Sequence, residues 1–289
     1  MRRFIYIYTF ILMPLLLIAA PAAKAQIVPA NDDIPSNDPG LKIGFQSVID
    51  AEMKVLPDLK INAGTELRMH GDFLFKRQMR FNAGAEYKLA KRFWLTGEYT
   101  LIRKFNDGDK VSYRHRLGIG LKETLKFNKK SKLSFTEKLQ WSHRASEINE
   151  YQQPRNSFSA KVKAKYTYSL SKKVDLFAAG EVKFSFSEPR LGDIYFDSQL
   201  MQFTDASGSV KGEKGWFLKD FKGISISRLR GNLGASYSFN KHHKLELSAQ
   251  LDYEKGLLID ANKKGTAIKS LVFDKRFLLY GKLAYSFSF

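Results

Sequence analysis

Ser142 and His143 stand side by side, and a histidine next to a serine is the pairing a hydrolase uses to activate its nucleophile. On an extended strand, however, neighbours point to opposite faces, so these two side chains cannot easily share a hydrogen bond, and no third orienting residue is identifiable. A lipid hydrolase is therefore the weakest functional expectation. His242 and His243 fall in a turn, His70 closes a strand, and His115 and His143 lie on otherwise apolar faces, which suits an aromatic rim better than catalysis. Asp193, Asp197, Asp205 and Asp220 share one long segment, but their spacing matches no calcium loop, and no metal or cofactor is expected. What remains is basic. Arg68, Arg80, Arg114, Arg116, Lys161, Lys163, Lys165, Arg228 and Arg230 all take the polar side of alternating segments, and they form the candidate binding site for a small anion.

Those bases need strands to line them up. Residues 59–70 read LKINAGTELRMH, which sets Leu59, Ile61, Ala63, Thr65, Leu67 and Met69 against Lys60, Asn62, Gly64, Glu66, Arg68 and His70. A period of two is a strand with one apolar and one polar face. The same pattern predicts strands over 79–89, 93–103, 111–127, 132–145, 157–170, 174–187, 225–239, 244–255 and 278–289. The connections alternate strictly between short turns (56–58, 90–92, 128–131, 171–173, 240–243) and longer loops (71–77, 104–110, 147–156, 188–223, 256–277). Short turns on one side and long loops on the other are the arrangement of outer-membrane barrels.

Keeping each apolar set on one face fixes the hairpin registers, because a one-residue slip would reverse every side chain. Around 240–243 this brings Arg228 and Arg230 opposite or beside Asp252 and Glu254, and around 171–173 it places Lys163 near Glu181. Opposite charges meeting on the polar face predict a lumen laced with ion pairs. Glu123 and Glu137 break the pattern by sharing the parity of Leu121, Leu125, Leu139 and Trp141. They require a height outside the hydrocarbon, a bulge or a partner interface.

Residues 1–25 read as a cleaved signal peptide, with basic Arg2 and Arg3, an apolar run from Phe4 to Ala20, and Ala23-Lys24-Ala25 as the cleavage site. Removing Arg2, Arg3 and Lys24 lowers the formal charge from +19 to +16. For an exported chain so basic a balance points to lipopolysaccharide, anionic lipid or a small anionic solute, and away from nucleic acid. The absence of cysteine excludes disulfides and thiol chemistry. No later stretch is apolar enough for a membrane helix, so a membrane-embedded chain must close into a barrel that leaves no unpaired strand edge in lipid.

The expected fold is thus an all-β, up-and-down transmembrane antiparallel β-barrel over residues 59–289, with ten strands or alternatively twelve, preceded by an N-terminal segment at 26–58. Residues 41–55 are the difficulty. Counted as one crossing they give eleven strands and an external N-terminus, against the even number usual for bacterial single-chain barrels. Ten strands should leave a lumen mostly filled by long side chains, porin-like in class without being an open pore. A structural or surface-interaction role in the envelope is the alternative to binding or passing an anion.

The last strand ends on Tyr285, Phe287 and Phe289, one apolar face running to the final residue. It resembles the signal by which barrel precursors reach the outer-membrane assembly machinery. The stretch from about residue 49 to 255 resembles the DUF2490 family of outer-membrane barrels common in Bacteroidota. The likeness is carried by Glu66-Leu67-Arg68, Gly84 to Leu89, Tyr99, Tyr113 to Leu117, Arg228 to Gly234 and Tyr237. The connections at 188–223 and 256–277 depart from that family's compact form, and the resemblance implies a fold and a location but no activity. Changing Phe289 to Asp should lower the amount of heat-modifiable barrel recovered in outer-membrane fractions; recovery at the normal level would contradict the assembly role.

Overall fold

The computed structural model describes residues 36–37, 40–70, 76–105, 111–145, 156–186, 194–197, 202–204, 210–212, 215–218, 225–261 and 268–289. The signal peptide and Asp193, Asp205 and Asp220 lie outside the described residues. Eleven long strands form one sheet that closes on itself: β1 (Leu41–Leu56), β2 (Leu59–His70), β3 (Lys76–Lys88), β4 (Phe93–Phe105), β5 (Val111–Lys126), β6 (Ser131–Arg144), β7 (Asn156–Ser169), β8 (Val174–Ser185), β9 (Ser225–Ser238), β10 (His243–Ala261) and β11 (Ile268–Ser288). Each pairs antiparallel with the next. Closure comes from β11 and β1, which run parallel from Phe277↔Leu41 to Ser288↔Glu52.

The count of eleven falls between the ten and twelve expected, and residues 41–55 supply the odd strand as a single crossing. The reason is the seam. A parallel closing pair lets an odd number of alternating strands meet without an unpaired edge, and the Phe289 amide extends the pairing by donating to the Glu52 carbonyl at 2.9 Å. The connection expected at 256–277 is for much of its length a continuation of β10 and β11, whose pairing persists to Ala261↔Ile268. Within 188–223, Ile194–Asp197 pairs with Gly215–Leu218 and Gln202–Thr204 with Val210–Gly212, so the described parts of that connection form nested antiparallel pairs and add no strand to the barrel.

The short turns are held by the side chains that made them recognisable. Asn128 Oδ1 accepts the amides of Lys130 and Ser131 at 2.8 and 2.7 Å, and Asn240 Oδ1 accepts those of His242 and His243 at 2.8 and 2.9 Å. Ser171 Oγ does the same for Lys173 and Val174 at 3.2 and 3.1 Å. Such local bonds satisfy turn amides that the ladder leaves unpaired. Register follows, with Arg228↔Glu254, Arg230↔Asp252 and Lys163↔Glu181 among the pairings that the face argument allows.

Odd-numbered residues along most strands form the outer wall, where Ile43, Ile119, Leu139, Leu233 and Leu247 stand exposed at 57–66%. Rings gather near its two ends. Tyr99 Oη and His115 Nδ1 lie 2.8 Å apart, His143 Nδ1 lies 2.9 Å from Asn156 Oδ1, and the Trp141 and His143 rings are neighbours. At the other end His242 Nδ1 donates to the Ser288 carbonyl at 2.6 Å, and His243 Nδ1 lies 2.5 Å from Tyr285 Oη. These two turn histidines tie the last hairpin to the chain's final residues. Strands β5 and β6 pair without a register shift, so no bulge turns Glu123 and Glu137 inward. Glu123 is nevertheless 7% exposed, at a level where its Cα partners are Phe93 and Phe135.

Glycine matters most at the seam. Gly44 of β1 lies directly across from Tyr280 of β11, and a Cβ on Gly44 would come within 2.7 Å of the Tyr280 ring. The missing side chain lets the ring come close to the neighbouring strand inside the barrel. Replacing Gly44 with Leu should destabilise the closed barrel by about 1–3 kcal/mol through overpacking. Gly97→Ala, where a Cβ meets nothing within 4 Å, should change little. Urea unfolding of both variants in detergent checks the contrast, and equal midpoints would contradict it.

Candidate functional site

Even-numbered side chains face the lumen on most strands, and charge sorts them into two levels. The first is packed. Arg230 clasps Asp252 with two bonds, Nε to Oδ1 at 2.6 Å and Nη2 to Oδ2 at 2.5 Å. Arg228 Nη2 donates to Glu181 Oε1 at 2.5 Å and its Nη1 lies 3.8 Å from Glu254. Across the barrel Arg68 pairs with Glu66, which also lies 3.7 Å from Arg80. Gln46, Ile102 and Asp252 are each 1% exposed, and Leu278 and Tyr280 are 3% exposed. Ions taken this far from water need partners in good geometry, and the bidentate Arg230–Asp252 pair has it.

The second level is open. A cavity of about 550 Å³ occupies the short-turn half of the lumen, bordered by Lys132 and Lys244, each close to a short turn. Lys122, Lys138, Lys161, Lys163 and Lys165 line it together with Glu86, Glu98 and Glu181, and hydroxyls come from Thr96, Thr136 and Ser236. Several lysines reach past one or two neighbouring strands to find an acid. Lys122 of β5 donates to Glu86 of β3 at 3.0 Å, Lys138 of β6 pairs with Glu98 of β4, and Lys165 of β7 lies 3.6 Å from Glu246 of β10. These chords pass over small or flat lumen residues. Lys165 Nζ sits 3.9 Å above the Phe177 ring, and that ring itself occupies the space where a Cβ on Gly234 would stand, 2.6 Å away.

Lys161 differs from the others. No carboxylate lies within ion-pair distance of it among the described residues, and its cross-strand partners are Lys138 on one side and Lys183 on the other. Like charges directly opposite one another in a sheet are destabilising. The row one step nearer the short turns alternates instead, as Lys163↔Glu181↔Arg230↔Asp252. One row is neutralised from within; in the next, Lys138 is answered by Glu98 from two strands away, and Lys161 stands on the cavity wall with no carboxylate within ion-pair distance among the described residues.

The nine bases chosen from sequence all sit on lumen-facing positions but do not form one patch. Arg68, Arg80, Arg228 and Arg230 belong to the packed level, while Lys161, Lys163 and Lys165 line the cavity. Arg116 donates from Nε to Ser142 Oγ at 3.2 Å, and Arg114 lies above it, opposite Arg144. Sequence reasoning missed Lys132 and Lys244 as cavity residues, although their positions beside Ser131 and His243 follow from the turns. It also missed the acids that answer across an intervening strand, because only the three-dimensional chord makes Glu98 a neighbour of Lys138. Ser142 is buried facing the lumen and His143 stands on the outer wall, so the pair is split as strand geometry requires. Among the described residues no three His, Asp or Glu side chains gather as a metal site.

No family model and no curated protein matches the chain, so the DUF2490 resemblance is not carried further and the closed barrel stands on its own. Among solved structures, the crystal structure of the siderophore receptor PirA from Pseudomonas aeruginosa aligns at 9% identity with a TM-score of 0.25, covering 77% of this chain and 48% of that one. This chain thus spans about half that receptor's length, and so low a score carries no argument.

Removing Arg230 alone would leave Asp252 charged and buried, so Arg230→Ala should destabilise by about 3–5 kcal/mol, whereas Arg230→Met with Asp252→Leu should be far milder. Equilibrium unfolding of the three proteins checks this. A double variant as weak as the single one would contradict it.

Proposed function

We propose that this protein is an outer-membrane barrel, with its short turns toward the periplasm, that binds a small phosphate- or carboxylate-bearing solute in the lysine-lined cavity at the short-turn end. Support for the membrane comes from the outer wall, where large apolar side chains stand exposed on successive strands and rings gather at both ends. Such a band suits lipid, with aromatic residues at the two interfaces. Lipid and lipopolysaccharide would cover that wall, and the assembly machinery would read the strand ending at Phe289.

The observation that carries the binding role is Lys161, which lines the open cavity between two lysines, Lys138 and Lys183, with no carboxylate within ion-pair distance among the described residues. A direct like-charge row works against the fold, and residues that locally oppose stability are where function is to be sought. An anion placed against Lys161 and Lys163 would cancel that repulsion. The cavity's size suits one small ligand, and the packed Arg–acid level beyond it favours binding or slow, gated passage over an open channel.

Inorganic phosphate and citrate should raise the thermal midpoint of the purified barrel in detergent, and Lys161→Met should remove most of that rise. A lost charge-assisted bond of about 1.5–3 kcal/mol corresponds to roughly 10- to 150-fold weaker binding. In anion-free buffer the same variant should be slightly more stable than the natural protein, by about 0.2–1 kcal/mol, because one of three facing charges is gone. No response to either anion, or a Lys161→Met barrel less stable without anion, would overturn the reading.

A further inference from the structure

The cavity is too large for an anionic group alone. Its volume of about 550 Å³ falls within the range of roughly 300–1,000 Å³ that holds a whole organic molecule, and a bare phosphate ion would leave most of it to water. The wall away from the anion therefore defines the rest of the ligand.

The lining lysines differ in what already answers them. Lys122, Lys138, Lys165 and Lys244 have carboxylates within ion-pair distance, in Glu86, Glu98, Glu246 and Asp175. Lys161 and Lys163 have none among the described residues, and Glu181, the cross-strand partner of Lys163, accepts a bond from Arg228 at 2.5 Å. These two lysines stand two residues apart on one face of β7, about 6.6 Å along the strand. Two ammonium groups so placed match a phosphate monoester, which carries about −1.5 to −2 charges near neutral pH and three strong acceptor oxygens. Thr136, the other cross-strand partner of Lys163, brings a hydroxyl beside them.

The facing wall suits alcohol groups. β2 lies five strands from β7 in a ring of eleven, so Asn62 borders the cavity across from the lysine pair, with Glu86 of β3 and Glu98 of β4 beside it. Both carboxylates stay partly open, at 22% and 33%, and a carboxylate has more lone pairs than one lysine uses. They can accept bonds from hydroxyls, and they oppose a second anionic group on that side. Thr124 and Ser134, with hydroxyls 3.2 Å apart, continue the polar lining toward the short turns. An aromatic body finds no platform, because the Phe177 ring is 6% exposed and Lys165 Nζ sits 3.9 Å above it.

We propose that the cavity takes a phosphate monoester of a sugar or another polyol, with its phosphate between Lys161 and Lys163 and its hydroxyls toward Asn62, Glu86 and Glu98. The assignment rests on the anion-binding reading of the same cavity and narrows it to one charged end on a hydroxyl-bearing body.

Calorimetric titration of the purified barrel in detergent tests this with inorganic phosphate, glucose 6-phosphate, phenyl phosphate and glucose. Glucose 6-phosphate should bind about ten-fold or more tightly than inorganic phosphate, since each added hydrogen bond contributes a few-fold, and phenyl phosphate should gain nothing over inorganic phosphate. Glucose, without the charged end, should bind at least about ten-fold more weakly than its phosphate. Asn62→Leu should cut the glucose 6-phosphate advantage several-fold and leave inorganic phosphate unchanged, whereas Lys161→Met should weaken both alike. Heat-modifiable mobility and retained phosphate binding show that the Asn62→Leu barrel is folded. The proposal is overturned if phenyl phosphate binds as tightly as glucose 6-phosphate, if the sugar phosphate is no tighter than inorganic phosphate, or if Asn62→Leu keeps the full advantage. Those outcomes leave the anion-binding reading standing. A barrel that binds none of the probes, inorganic phosphate included, sinks that reading and this one with it.

Discussion

Every amide and carbonyl in the wall of a sheet must find a partner, and here the last pair is found by laying β11 and β1 side by side in the same direction. That parallel seam determines the other features. It makes the strand number odd, places the two ends of the described chain at opposite mouths of the barrel, and sets Tyr280 over Gly44 inside the lumen. A sheet of ten strands ending at β2 would need the C-terminal strand to pair antiparallel with Leu59–His70 and would leave Leu41–Leu56 without a place. In the membrane setting proposed above the constraint is severe, since an unpaired backbone group in lipid costs several kcal/mol.

Closure at eleven strands also sets the internal economy of charge. The lumen is wider than the side-chain-filled eight-strand case but far narrower than a porin, so long bases and acids can meet across it. Where they meet in the right order, as in Arg230 with Asp252, the interior is packed. Where the lining is mostly lysine, as at Lys122, Lys138, Lys161, Lys163 and Lys165, the interior stays open. The register that brings these side chains together is in turn set by short turns capped by Asn128, Ser171 and Asn240.

Much of this was legible in the sequence because strand alternation and turn chemistry are local. Arg228↔Glu254 lies among the registers allowed by keeping Tyr237 and Leu247 on one face, and the same argument around 171–173 places Lys163 near Glu181, with no long-range information. The parallel seam was not legible. An alternating stretch at residues 41–55 says nothing about the direction of its second neighbour, and the usual even strand number argued against a single crossing. The cross-lumen chords were hidden for a related reason, since Lys165 and Glu246 are brought together by curvature of the sheet, which no pairwise pattern encodes. Ile102 and Leu278 are apolar residues at lumen-facing positions and are part of the packed level.

The central claim is that β11 closes the barrel against β1, and NMR of the perdeuterated protein in detergent tests it most directly. Interstrand amide contacts should connect Leu279–Leu283 with Ile43–Ser47 in the parallel register, Gly281 facing Phe45. Contacts connecting Leu279–Leu283 with Leu59–His70 instead would mean a ten-strand barrel with residues 41–56 outside the wall, and would contradict the account.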